Sequence, residues 1–357
     1  MGARGDKRRR LAGSTDRRRR ARLSESSDRP TEGRNREKGK EKDKEKERGT
    51  GTNLRRRHSR TGPHSTTKLR KSTGLRKAVP DGKEAAEDEE RREQMEALRK
   101  DLDVASQVQV NLLPKKIPQI PNYDINAFYR PSKEVGGDYY DFLQLTNGRL
   151  AMTVADVSGK GIAGSMVMAM FRSVLRMCAA EGVRARDIMI RTNELASRDI
   201  KRGMFVTCLF TILSIEKNSL RVCSAGHNPL VLWRHASRTI HLVNPNGIAI
   251  GFDKGPIFEN VIKEQKFHVE PGDRVVTYTD GVVEAMNKDE ELFGDKRFYK
   301  LIKDNAEEPS GRLLNLLVEA IDQFVDGAPQ SDDITILTFR RDPEDLDKAV
   351  PVDEDTD

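Results

Sequence analysis

Ten short runs rich in Val, Ile, Thr and Phe, each bounded by Gly, Asn or Pro, predict β-strands between residues 123 and 340 of this 357-residue chain. They cover 123–130, 141–146, 149–154, 205–216, 220–224, 230–234, 239–242, 264–268, 274–279 and 334–340. Helical runs are predicted over 162–180, 185–200, 295–305 and 312–325. Two helices follow the early strands, many strands come next, and two more helices precede the last strand. A doubly wound parallel sheet needs strict alternation of strand and helix. The order therefore predicts an α+β fold of mostly antiparallel sheets covered by helices.

Ahead of that region the composition changes twice. Residues 1–83 hold 29 Lys and Arg against 11 Asp and Glu, whereas the remainder holds 35 against 46. With almost no apolar side chains, residues 1–83 cannot offset their chain entropy by burial, so a disordered basic tail is expected. Such a tail either solvates the protein or contacts nucleic acid or an anionic membrane surface through counterion release. Residues 84–113 switch to helix formers, with Met95, Leu98, Leu102, Ala105, Gln109 and Leu112 spaced by threes and fours. This linker helix either pairs with a second copy as a short coiled coil or packs on the domain at 118–341. Residues 342–357 are expected to form an acidic flexible tail.

No apolar stretch reads as long enough to span a bilayer, and the first residues lack the apolar core of a secretory signal, so a cytoplasmic protein is expected. Cys178, Cys208 and Cys223 lie in apolar surroundings without ligand spacing, and the six His are scattered. Reduced core thiols are expected, and zinc is not.

Four acidic segments punctuate the strands: Gly136-Gly137-Asp138-Tyr139-Tyr140-Asp141, Ala155-Asp156-Val157-Ser158-Gly159-Lys160-Gly161, Tyr278-Thr279-Asp280-Gly281 and Ser331-Asp332-Asp333-Ile334-Thr335. Alone, the Asp156 segment reads more readily as an ordinary strand–turn–helix junction with a capping Asp or Ser, and each of the others could be a turn Asp. Four at strand ends beside Gly read as carboxylates held on rigid backbone at one cleft, where they repel unless a cation lies between them. That pattern points to a hard-metal site handling phosphate.

Together with Gln109-Val110-Asn111-Leu112-Leu113-Pro114, Ala225-Gly226-His227-Asn228-Pro229 and Val282-Val283-Glu284-Ala285, these motifs resemble the metal-dependent protein phosphatase (PPM) superfamily, in its bacterial SpoIIE/RsbU-like branch. The resemblance runs from about residue 99 to 340. It implies two stacked antiparallel sheets with helices outside and two Mn²⁺ or Mg²⁺ ions at one edge. Asp156 would bridge both ions, the Val157 carbonyl would assist, Asp138 would serve one ion, and Asp280 with Asp332 the other. Asp138 and Asp156 are thus the expected catalytic pair. Asp333 stands where relatives often carry Asn; both members of the pair remain metal candidates, with Asp332 favoured. The phosphate-gripping Arg of eukaryotic relatives has no identifiable counterpart.

Two such cations would lower the pKa of a bridging water and give a hydroxide for in-line attack on a phosphoserine or phosphothreonine. The resemblance implies a phosphoprotein substrate akin to an anti-sigma-factor antagonist. The alternative is a catalytically silent scaffold of the same fold that works through its basic tail. His227 reads as a turn-stabilising residue in preference to a general acid.

Overall fold

The computed structural model describes residues 82–343; residues 1–81 and 344–357, on which the tail expectations fall, lie outside the described residues. Ten strands form two five-stranded sheets. In the first, the order is β1 (Tyr123–Arg130), β10 (Ile334–Arg341), β9 (Arg274–Tyr278), β6 (Leu230–Arg234), β7 (Thr239–Val243). In the second it is β2 (Tyr139–Leu145), β3 (Arg149–Val157), β4 (Val206–Ser214), β5 (Ser219–Ala225), β8 (Glu264–His268). Every strand pairing is antiparallel, as the order of elements predicts.

Period-two burial explains how the first sheet is sandwiched. Val275, Leu337 and Phe339 join the large core shared with the second sheet. Their neighbours Val276, Tyr278 and Ile336 point the other way, onto Phe298 of α5 (Gly294–Asp304) and Leu313 and Leu317 of α6 (Ser310–Val325). The second sheet is covered by α2 (Ile162–Glu181) and α3 (Ala185–Ala196). Each fully buried Leu or Phe contributes about 2 kcal/mol to this assembly. Cys178, Cys208 and Cys223 are free, buried thiols.

Element bounds depart from expectation in few places. The third helix ends at Ala196, four residues early, and one turn of helix, α4 (Pro256–Val261), was not foreseen because six residues show no periodicity. One expectation needs correction: α2 is long and apolar enough to cross a membrane by length and composition. Its placement supplies another reason for that character. Gly164, Met168, Phe171, Leu175, Cys178 and Ala179 are buried in the domain core, and Arg176 pairs at 2.6 Å with the fully buried Asp141 of β2.

The linker helix α1 spans Gly82–Leu112. Its apolar seam divides in two: Met95 and Leu98 are exposed, whereas Gln109 is buried and Leu113 follows into the core. Packing on the domain thus accounts for the C-terminal end of the seam. Gln109 donates to the Gly136 carbonyl at 2.6 Å and accepts from the Gly136 N–H at 2.9 Å, while Arg172 of α2 donates to the Leu112 carbonyl.

Behind β9 lies a buried arginine without a carboxylate partner within ion-pair distance among the described residues. Arg274 donates instead to the carbonyls of Ala306 and Glu308 and to the hydroxyls of Ser310 and Thr338. Burial, reinforced by nearby Arg340, pushes its pKa down to about 10, so it remains charged at neutral pH.

Candidate active site

Strand register brings the acidic segments together. Tyr139 pairs with Ala155 between β2 and β3, so the preceding Asp138 lies across from Asp156. In the other sheet, Ile336 pairs with Tyr278, which sets the residues after β9 against those before β10. Gly281 sits so close to that crossing that a Cβ there would lie 2.0 Å from the Asp333 carbonyl and 3.2 Å from the Asp332 Cβ. Glycine is required by this approach, whatever the turn prefers.

The two sheet ends are then stapled to each other. Thr279 and Thr335, from the first sheet, both donate their hydroxyls to Asp138 Oδ2 in the second, the former at 2.7 Å. In return Asp333 Oδ2 accepts the Gly137 N–H at 2.6 Å and the Asp138 N–H at 3.3 Å. Its Oδ1 takes the N–H and hydroxyl of Ser132 at 2.7 and 3.0 Å. Gly137 completes the cradle: a Cβ on it would meet the Val157 carbonyl at 2.9 Å and Asp156 Oδ1 at 3.7 Å.

Crowded carboxylates make this edge electrostatically expensive. Burial and the carboxylates of Asp280, Asp332 and Asp333 push Asp156 up to about 7. Burial and Asp156 raise Asp138 well above the usual carboxylate range, against the two threonine hydroxyls that oppose the shift. Asp280 is raised by burial and Asp332, and the more exposed Glu284 by burial and Asp280. One cation answers them: Lys160 Nζ lies 2.9 Å from Asp332 Oδ2 and also donates to the Ser331 carbonyl.

All the residues singled out in the sequence (Asp138, Asp156, Val157, Asp280, Asp332 and Asp333) therefore lie at one end of the sandwich, where strands of both sheets terminate. They are not arranged as a finished ion cage: among the described residues, no three His, Cys, Asp or Glu already surround a single point. Their hydrogen bonds give the reason. Asp138 is turned to the threonines, Asp333 to backbone and Ser132, and Asp332 to Lys160. Sequence reading missed the partners Thr279, Thr335 and Lys160, although each lies inside a quoted motif. Which atoms they reach depends on strand register between sheets, which no motif states.

His227 is buried, shares a 2.8 Å hydrogen bond with the Thr207 hydroxyl, and Thr207 pairs with Asp156 across β3 and β4. Burial pushes its pKa down to about 4, so it is neutral at pH 7 and serves as a tie between strands. The unfolded chain then binds the proton more readily between pH 6.5 and 4, and stability falls as pH drops through that window. The full cost, reached near pH 4, is on the order of 3 kcal/mol. Replacing His227 with Gln is expected to flatten this part of the pH–stability curve, read by urea unfolding at each pH. An unchanged slope in the variant would show that other groups carry it.

Two antiparallel sheets flanked by helices, with carboxylates gathered where their strands end, define a protein of the PPM superfamily, in its SpoIIE/RsbU-like branch. The sequence profile described as "Stage II sporulation protein E (SpoIIE)" matches residues 146–342, more than half of the chain, which belongs to that family. Among curated relatives, Protein IcfG of Synechocystis sp. is 28% identical over 270 residues, 68% of this chain but only 42% of that protein. The phosphoserine phosphatase RsbU of Bacillus subtilis (strain 168) is 25% identical over 244 residues, 68% of this chain and 71% of RsbU. The solved SiaA-PP2C domain of Pseudomonas aeruginosa superposes with TM-score 0.62 at 21% identity, covering 70% of this chain and 99% of that domain, which demonstrates a shared fold.

Proposed function

We propose that residues 118–341 form a metal-dependent protein serine/threonine phosphatase acting on a partner phosphoprotein. The observation that carries this reading is the set of carboxylates drawn from both sheets to one edge, with Asp156 driven up to about 7 by burial and by its neighbours. Such mutual repulsion is unfavourable in itself and is relieved by divalent cations. The donors are all oxygen, which suits hard Mg²⁺ or Mn²⁺.

Asp138, Asp156, the Val157 carbonyl, Asp280 and Asp332 would hold two ions, which when bound supply an activated water and neutralise the phosphoryl oxygens. The protein's own share is positional. Thr279 and Thr335 aim Asp138, and Asp333 ties down the Gly137–Asp138 backbone in place of ligating. The Asp332 carboxylate, which among the described residues bonds to an exposed lysine and its neighbour's N–H, is the member of the pair that is free to turn toward an ion. RsbU, named a phosphoserine phosphatase, supports phosphoserine as the group cleaved; a regulator of the anti-sigma-antagonist kind is the partner that the family resemblance implies.

Purified protein is expected to hydrolyse both an aryl phosphate and phosphoserine peptides with Mn²⁺, to lose this with EDTA, and to regain it when Mn²⁺ is returned. Asp332→Asn should weaken Mn²⁺ binding measured by calorimetry, whereas Asp333→Asn should chiefly lower the melting temperature. Protein that binds Mn²⁺ yet cleaves neither class of substrate would be a scaffold, and the enzymatic reading would fall.

A further inference from the structure

The charge balance of the edge leaves a requirement unmet. Four ligand carboxylates and two dications sum to about zero, yet a phosphomonoester arrives with nearly two negative charges. A further positive group facing it would balance that charge. Among the described residues, the ion pair reaching this cluster comes from Lys160, whose Nζ is held by Asp332 and the Ser331 carbonyl. A lysine side chain this open to solvent is an ammonium at neutral pH.

Geometry makes the pairing exchangeable. The Lys160 side chain is 46% exposed, and ion pairs this open are weak and readily traded. A divalent ion taking up Asp332 removes the lysine's partner while leaving its flexible stem anchored in the loop beside the site. α2 begins two residues on with no side-chain cap on its first N–H groups, which adds positive potential at the same place.

We infer that Lys160 is the phosphate-gripping side chain of this enzyme, parked on Asp332 until cations displace it and then bonded to the phosphoryl oxygens of the substrate. This rests on the phosphatase reading and adds a catalytic residue to it. It also makes the lysine a competitor of the ion for Asp332, so its removal should not weaken metal binding.

Inorganic phosphate is the probe, titrated by calorimetry into Mn²⁺-saturated wild type, Lys160→Met and Lys160→Arg, with Mn²⁺ affinity measured separately on phosphate-free protein. Lys160→Met is expected to bind phosphate at least tenfold more weakly, to bind Mn²⁺ as tightly as wild type or more so, and to melt at the wild-type temperature. Lys160→Arg should restore most of the phosphate affinity, since it restores the charge. A phosphate affinity within threefold of wild type in Lys160→Met overturns the inference. So does a tenfold loss of Mn²⁺ affinity, which would make Lys160 part of the ion site. Neither result depends on turnover, so failure of the enzymatic reading itself would appear separately, in the EDTA and Mn²⁺ assays.

Discussion

Asp156→Asn is expected to abolish Mn²⁺-dependent hydrolysis, by about a thousandfold or more, while stabilising the metal-free protein. The first half follows from its place opposite Asp138 and within the field of Asp280 and Asp332, where a lost carboxylate removes several kcal/mol of cation-mediated stabilisation. The second half follows from the sign of its shift. A carboxylate raised to about 7 in the folded state, against about 3.8 unfolded, makes the native protein progressively less stable as pH rises through that interval. Asn never ionises and escapes that loss. At pH 8 in EDTA the variant should be more stable by on the order of 2–4 kcal/mol, and near pH 4 the two proteins should coincide. Adding Mn²⁺ should reverse the ranking, because only the wild type gains stability from binding. Melting curves at two pH values, with and without Mn²⁺, test all of this. A variant less stable than wild type in EDTA at pH 8 would show that the carboxylate is held by favourable contacts and not by strain.

Arg274→Ala is expected to be the most destabilising substitution remote from that edge. The change strips four hydrogen bonds from the back of β9, leaves the Ala306 carbonyl buried without a donor, and opens a cavity. An unsatisfied carbonyl and lost volume together cost about 3–5 kcal/mol. Arg274 stands at the far end of the strand from Asp280, so Mn²⁺ affinity of the protein that remains folded at low temperature should be unchanged. Urea unfolding gives the first number and calorimetry the second; a loss below 1 kcal/mol would contradict the account.

Much of this was legible in the residues, and the exceptions have physical causes. Strand positions came through because Val, Ile and Phe in short runs between turn residues encode a pleated surface, and the runs at 123–130, 230–234 and 264–268 match β1, β6 and β8 residue for residue. The gathering of the acidic segments was legible because four carboxylates beside glycines at strand ends are hard to explain as four separate turns. The different bonding of Asp332 and Asp333 was not, because adjacent residues at a strand start point in different directions. Only the inter-sheet approach of Ser132 and Gly137 distinguishes them. Arg274 was equally opaque: its neighbours in space come from the segment around Ala306–Ser310, and nothing in its own strand announces a buried cation. For α2, the sequence reading passed over its apolar character: a helix buried on one side and carrying Met166 and Met177 on the other has the hydropathy of a membrane span.

The final strand sits second in its sheet, between β1 and β9, and is preceded directly by Asp332 and Asp333. Its pairing of Tyr123 with Arg341 joins residues from opposite ends of the fold. A growing polypeptide on the ribosome therefore cannot tether the Gly137–Asp138 backbone until Asp333 has been translated, or close this sheet until residues 334–341 have followed. A product terminated just before β10 would keep Thr279 and Asp333 but lose Thr335, one of the two hydroxyls that aim Asp138, together with the strand that joins β1 to β9.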